Sequence, residues 1–172
     1  MGYETVKTNP AVSRIVQKNT ATCWLAACKM LYAWKGKDTG EVDRLLIEAS
    51  KTDERVDYEY WCSSGIGQDD LVPLARTLGF KWGAGGKLEL EQMVKAIQSW
   101  GPLLAVGAWN TNSHVIVVWG AENVTDKKYE STAKLTIANP WPNADDPDIK
   151  NMNWFNGGLG NWEGVNGQYM HW

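Results

Sequence analysis

Cys23 stands in Gln17-Lys-Asn-Thr-Ala-Thr-Cys23-Trp24, where a run of strong helix formers begins. A thiol in the first turn of a helix feels the positive end of the macrodipole and the unpaired backbone N–H groups. Both favour the thiolate, which is the nucleophile, so a depressed thiol pKa is expected. The same N–H groups can face an oxyanion, and the Gln17 amide, six positions earlier, can supply a second donor. Taken alone, the segment suits a small buried thiol that only packs just as well. The chain has two histidines, His114 and His171, so an imidazole base is one of these two. His114 opens the apolar run Val115–Trp119, a place where a ring is held rigidly enough to reach across a cleft. Asn139 directly follows the run Leu135–Ala138, in Asn139-Pro140-Trp141-Pro142. Its side-chain oxygen can accept the proton on the far nitrogen of His114, with Trp141 laid over the pair. Each residue is ordinary in isolation, Asn-Pro being a common turn signal. Together they are the parts of a nucleophile, a base and an orienter.

The elements that must position these residues change character near residue 101. From Ala21 to Trp34 the chain is rich in good helix formers and apolar almost all round, as in a helix at the centre of a fold. Thr20 or Thr22 is the expected N-cap, with Cys23 in the first turn. Val42, Leu45, Leu46 and Ala49 have helical spacing, as do Leu71, Leu74, Ala75 and Leu78, and Leu90, Met93, Val94 and Ile97. Asp69 or Asp70 is expected to cap the second of these helices, and Gly79 to end it. Val56–Gly67 lacks a clean period and reads as a loop packed by aromatics. After Gly101-Pro102 come Leu103–Trp109, His114–Trp119 and Lys134–Ala138, short runs rich in β-branched residues that suggest an antiparallel meander. From Asn143 onward the chain is dense in Gly, Asn and Trp and has no usable period. Helices first and strands second predict an α+β fold.

Composition excludes several classes. The chain has 172 residues, 44% of them hydrophobic and 22% charged, which suits one compact domain over residues 1–172. A net charge of −3 with no Lys/Arg-rich run argues against nucleic acid as a partner. No apolar stretch approaches the roughly 18–20 residues of a membrane span. Gly2 is not a myristoylation site, because Val6 stands where that motif needs Ser or Thr. Cys23, Cys28 and Cys62 contain no C-x-x-C pair, so neither a metal site nor a cofactor is expected. Tryptophan is abundant, with 11 Trp against 6 Tyr and 2 Phe. Most of these rings are expected to pack the core, and Trp154, Trp162 and Trp172 would be the platforms if the chain were a carbohydrate- or peptide-binding module.

The sequence resembles the papain-like cysteine peptidases. The likeness rests on Gln17 with Cys23-Trp24, Gly101-Pro102 before a strand, His114 followed by Val-Ile-Val-Val-Trp-Gly, and Ile137-Ala-Asn139-Pro-Trp141. It spans residues 17 to about 142, and it is similar to short bacterial forms: effector proteases and bacteriocin-processing domains. It implies a two-lobed fold, with a helical lobe over about residues 17–100 and a β-rich lobe over about 101–172. It also implies Cys23 as nucleophile, His114 as base and acid, Asn139 as orienter and Gln17 as oxyanion donor. Trp24 and Trp141 are then expected to line the substrate cleft. The implied reaction is hydrolysis of a peptide or isopeptide bond through an acyl-enzyme, from a thiolate–imidazolium pair. Glutamine deamidation, acyl transfer and peptidoglycan amide cleavage use the same triad and stay open. The expected partners are a protein or peptide substrate and an immunity or inhibitor protein. A delivered effector or toxin without a signal peptide, in the cytoplasm of producer or target, is the expected setting. The chain departs from the family in having Ala21 two places before the nucleophile and Asn-Pro-Trp in place of Asn-Ser-Trp. Cys28 lies roughly 140° round the helix from Cys23, so it points elsewhere. By analogy with secreted relatives a Cys28–Cys62 disulfide is open, and His171, the penultimate residue, is expected to be mobile.

Overall fold

The computed structural model describes residues 3–84, 86–109, 112–124, 133–160 and 166–172. Strand β1 (Tyr3–Lys7) leads into α1 (Cys23–Trp34), α2 (Gly40–Ser50), α3 (Tyr58–Ser64) and α4 (Leu71–Leu78). Next come β2 (Lys81–Ala84), α5 (Leu90–Trp100), β3 (Leu103–Trp109) and β4 (Asn112–Val124). The described elements finish with β5 (Lys134–Ala138), β6 (Asp148–Asn151), α6 (Met152–Gly160) and β7 (Asn166–His171).

The strands form one antiparallel sheet in the order β2-β7-β3-β4-β5-β6, with β1 added to β4. The meander β3-β4-β5 is present as expected, and its register sets Gly107 opposite His114 and Val117 opposite Ala138. Alternate residues of β3 and β4 feed two cores. Leu104, Val106, Val115 and Val117 face a cluster built with α1, α2 and α4. Leu103, Ala105, Ile116 and Val118 face a second cluster built with α5 and α6. A sheet covered on both faces needs continuous apolar strands, which is why these runs show no polar alternation.

The fold is α+β as the element order implies, but the packing does not divide at residue 100. Strands β1 and β2 join the sheet, and α5 packs on the sheet face away from α1. Part of the stretch expected to be the helical lobe thus belongs to the sheet layer and its far side.

Three further expectations are corrected, and one open question is answered. Residues 58–64 form a helix and not a loop, started by the Asp57 carboxylate, which accepts the Tyr60 N–H at 3.0 Å. The aromatic-rich tail also contains regular structure, held by close fits. A Cβ on Gly158 would come within 2.0 Å of the Trp109 indole nitrogen, so only glycine lets α6 lie there. His171 is buried in β7, stacked on Trp100 with centroids 4.3 Å apart, so it is fixed in place. All three cysteines are free thiols, Cys28 fully buried and Cys62 partly exposed, so there is no Cys28–Cys62 bridge.

Candidate active site

Cys23 is the first residue of α1, as the helix-start reading requires. Its turn is prepared by Asn19, whose side-chain oxygen accepts the Ala21 N–H at 2.8 Å. Thr22 is the N-cap residue, but its hydroxyl does not cap the helix; it accepts the Asn19 N–H at 3.2 Å. Farther along, α1 is fastened to α2 and α3 by Asp43, which takes Lys29 Nζ at 2.6 Å and the Tyr58 hydroxyl at 2.5 Å.

The Cys23 sulfur is buried against the sheet. It lies within reach of the backbone N–H groups of Val115, Trp24 and Cys23 itself. Val115 is the residue after His114, so the start of α1 abuts β4 one residue along the strand from the imidazole. Burial pushes the Cys23 thiol above its ordinary value, and the three N–H groups offset only part of that. The depressed thiol expected from the helix terminus is therefore not found, because desolvation outweighs the macrodipole. Burial likewise pulls His114 below its ordinary value, with the bond to Asn139 acting the other way. Both shifts favour the uncharged forms, a thiol and a neutral imidazole.

His114 Nε2 lies 2.9 Å from Asn139 Oδ1. That oxygen can only accept, so Nε2 carries the proton and Nδ1 is the basic nitrogen. The same oxygen accepts the Trp141 N–H at 3.1 Å. The Trp141 indole meets the imidazole edge-on, centroids 5.8 Å apart, and keeps 41% of its surface exposed. It also forms a wall common to two hollows. One, of about 290 Å³, is lined by His114, Asn139, Trp109, Trp154, Asp148 and Lys150 among others. The other, of about 180 Å³, runs along Gln17–Thr20.

Gln17 is buried beside this second hollow. Its Nε2 donates to the Asn19 carbonyl at 2.7 Å, which fixes the amide orientation. Its backbone N–H donates to the Pro140 carbonyl at 2.9 Å and so joins the lead-in to the Asn139 turn. Trp24 is a correction. It has no exposed surface, its indole N–H donates to the Trp61 carbonyl at 3.3 Å, and it packs edge-on against Trp61 and Tyr58. It anchors the helix and cannot line a cleft.

Two residues of this region escaped the sequence reading. Arg14 donates to the carbonyls of Ala144 at 2.7 Å, Trp141 at 2.6 Å and Pro142 at 3.1 Å, and so clamps the loop that carries Trp141. Asp148, nearly fully buried, accepts Asn139 Nδ2 at 2.9 Å on one oxygen and Lys150 Nζ at 3.0 Å on the other. A lone arginine in an irregular segment carries no signal. Asp148 had only a weak one, as an acid opening a short Asp-Ile-Lys-Asn strand after a proline. Of the rings a binding module would present, Trp154 stacks on Trp109, Trp172 donates its indole N–H to the Leu31 carbonyl, and Trp162 lies outside the described residues. Among the described residues no group of three or more His, Cys, Asp or Glu could hold a metal ion, and no helix is long and apolar enough to cross a membrane.

One comparison with known proteins gives a family and another a similar fold. Residues 5–159 match the family described as papain-like cysteine protease AvrRpt2. Among solved structures, a double-glycine-motif protease from an AMS/PCAT transporter, in complex with its leader peptide, is similar in fold. It superimposes with a TM-score of 0.52 at 18% identity, over 99% of this chain and 99% of that one. No curated protein sequence matches.

Proposed function

The chain belongs to the papain-like cysteine protease AvrRpt2 family, and from that premise we propose that Cys23, His114, Asn139 and Gln17 are its catalytic residues. The observation that carries this reading is the Nε2–Asn139 bond of His114, on a strand whose next N–H meets the Cys23 sulfur. It leaves Nδ1 to take the thiol proton.

With both partners uncharged at rest, His114 acts as a general base as the sulfur attacks the substrate carbonyl. The C–S bond forms, the carbonyl π pair moves to oxygen, and the thiol proton passes to Nδ1. The Cys23 N–H and the second Nε2 hydrogen of Gln17 hold the oxyanion. When the tetrahedral intermediate collapses, the C–N bond breaks and the imidazolium gives its proton to the leaving amine. Water, deprotonated by the same imidazole, then attacks the thioester and releases the acid and the thiol.

The substrate we propose is a protein or peptide. The larger hollow supports this, because it sets the rings of Trp109, Trp141 and Trp154 around His114, as an extended chain with apolar side chains requires. The protein of similar fold is bound to a leader peptide.

Labelling with one equivalent of the epoxide E-64, followed by intact mass and peptide mapping, tests the assignment. The expected result is a single adduct on Cys23 that is lost in His114→Ala. An unlabelled Cys23, or equal labelling without His114, would overturn it.

A further inference from the structure

We infer that Asp148 is a positioning residue that sets which way the Asn139 amide faces His114, an inference that rests on the catalytic reading above. An amide is nearly symmetric in shape, so packing alone does not distinguish its oxygen from its nitrogen. The two orientations have opposite consequences for the imidazole. With Oδ1 toward His114, Nε2 must carry the proton and Nδ1 is free to take one from the thiol. With Nδ2 toward His114, Nε2 must be the acceptor, the proton moves to Nδ1, and the ring can no longer accept from Cys23.

Asp148 separates the two. A carboxylate only accepts, and its Oδ2 lies 2.9 Å from Asn139 Nδ2. Rotating the amide would bring Asn139 Oδ1 against that oxygen, acceptor against acceptor, on a carboxylate that is itself nearly fully buried. The Trp141 N–H favours the same orientation from the other side. Asp148 is held in turn by Lys150 on Oδ1 and by its place in β6, where it lies opposite Ile137 of β5. The residues thus form one chain, Lys150–Asp148–Asn139–His114, that ends on the ring.

Lys150 makes the test specific. In Asp148→Asn the new amide oxygen stays on Lys150, so its NH2 group faces residue 139. A donor then meets the Asn139 donor, and the preferred orientation reverses without a change of shape. In Asn139→Asp two carboxylates face each other. In the double variant Asn139→Asp/Asp148→Asn, the NH2 of the new asparagine donates to a carboxylate that still accepts from His114.

The experiment measures the rate of iodoacetamide alkylation at Cys23 by peptide mapping near neutral pH, the His114 tautomer by ¹⁵N NMR, and the melting temperature of each variant. Asp148→Asn is expected to lower the rate about tenfold and to raise the Nδ1–H tautomer. The double variant is expected to recover most of what Asn139→Asp alone loses. A purely structural Asp148 would change melting and leave the tautomer alone. A folded Asp148→Asn with the wild-type rate and tautomer overturns the inference. So does a double variant no faster than Asn139→Asp, which decides the matter if Asp148→Asn is too unstable to label. His114→Ala is the control: loss of rate there with none in Asp148→Asn sinks only the positioning role, whereas no loss in His114→Ala sinks the catalytic reading itself.

Discussion

Around Cys23 the neighbours along α1 are Trp24, Leu25, Ala26, Ala27 and Cys28, all buried and apolar. Around His114 they are Asn139, Asp148 and Lys150, joined by polar contacts of 2.9 to 3.0 Å. The thiol side is held by packing, where a lost ring leaves a cavity and the whole helix loosens. The imidazole side is held by directed bonds, where a change of one atom's character alters a tautomer and leaves the volume intact. The difference teaches where each kind of substitution will act: stability on the helix side, chemistry on the sheet side. Cys23 belongs to both, and this is why burial and not the helix terminus governs its acidity.

The largest expected effect tests that dual character. Cys23→Ala should lower peptide turnover by about 10³-fold or more, read on a peptide library by mass spectrometry. Its melting temperature should move by only a few degrees, because the backbone and its neighbours stay in place. Turnover at the wild-type level in this variant would remove Cys23 from the reaction.

Trp24→Ala should destabilise the protein by about 3–5 kcal/mol in urea unfolding, because it deletes a fully buried ring and orphans the Trp61 carbonyl contact. A loss under about 1 kcal/mol would show that the helix side is not packed as described.

The third test concerns acidity. His114 is pulled below the ordinary value of about 6.5, so it is a neutral base at every pH above that lowered value. Alkylation of Cys23 should therefore rise on the acid side of about 6.5 and be level through neutrality, the midpoint belonging to the coupled pair. In His114→Ala the rise should move beyond about 8.5, since burial holds the thiol above its ordinary value, and the rate at neutral pH should fall about 100-fold. Coincident profiles would uncouple the two groups.

The smallest stability effect is expected at Trp141, the same residue type as Trp24 on the other side of the comparison. With 41% of its surface exposed, Trp141→Ala should change unfolding free energy by no more than about 1 kcal/mol. Its cost should appear instead as slower alkylation of Cys23, because water gains access to the His114–Asn139 bond. A large melting shift with unchanged alkylation would reverse the contrast drawn here.

Much of the molecule was written in local pattern. The helix formers of α1, the period of α2, α4 and α5 and the β-branched runs of β3, β4 and β5 are read directly from residue types, because the burial of each element is written in its own residues. Cys23, His114 and Asn139 could be named as candidates because each stands near an element boundary whose chemistry is itself local: a helix start, a strand mouth, a proline turn. Gln17, in irregular backbone, was a candidate only through its spacing from Cys23. Tertiary structure decided what depends on residues distant in the chain. Helix α3 and the tail exist because neighbours complete them, as Gly158 fits under Trp109. Trp24 and Trp141 are alike in sequence, yet one is sealed in the core and the other walls a hollow, since burial is set by what packs opposite. The acidity of Cys23 followed its burial in a core assembled from elements distant in the chain, which no spacing rule contains. Asp148 reached Asn139 only when β6 paired with β5, because a hydrogen bond needs two atoms near 3 Å apart, and sequence separation alone does not specify that distance.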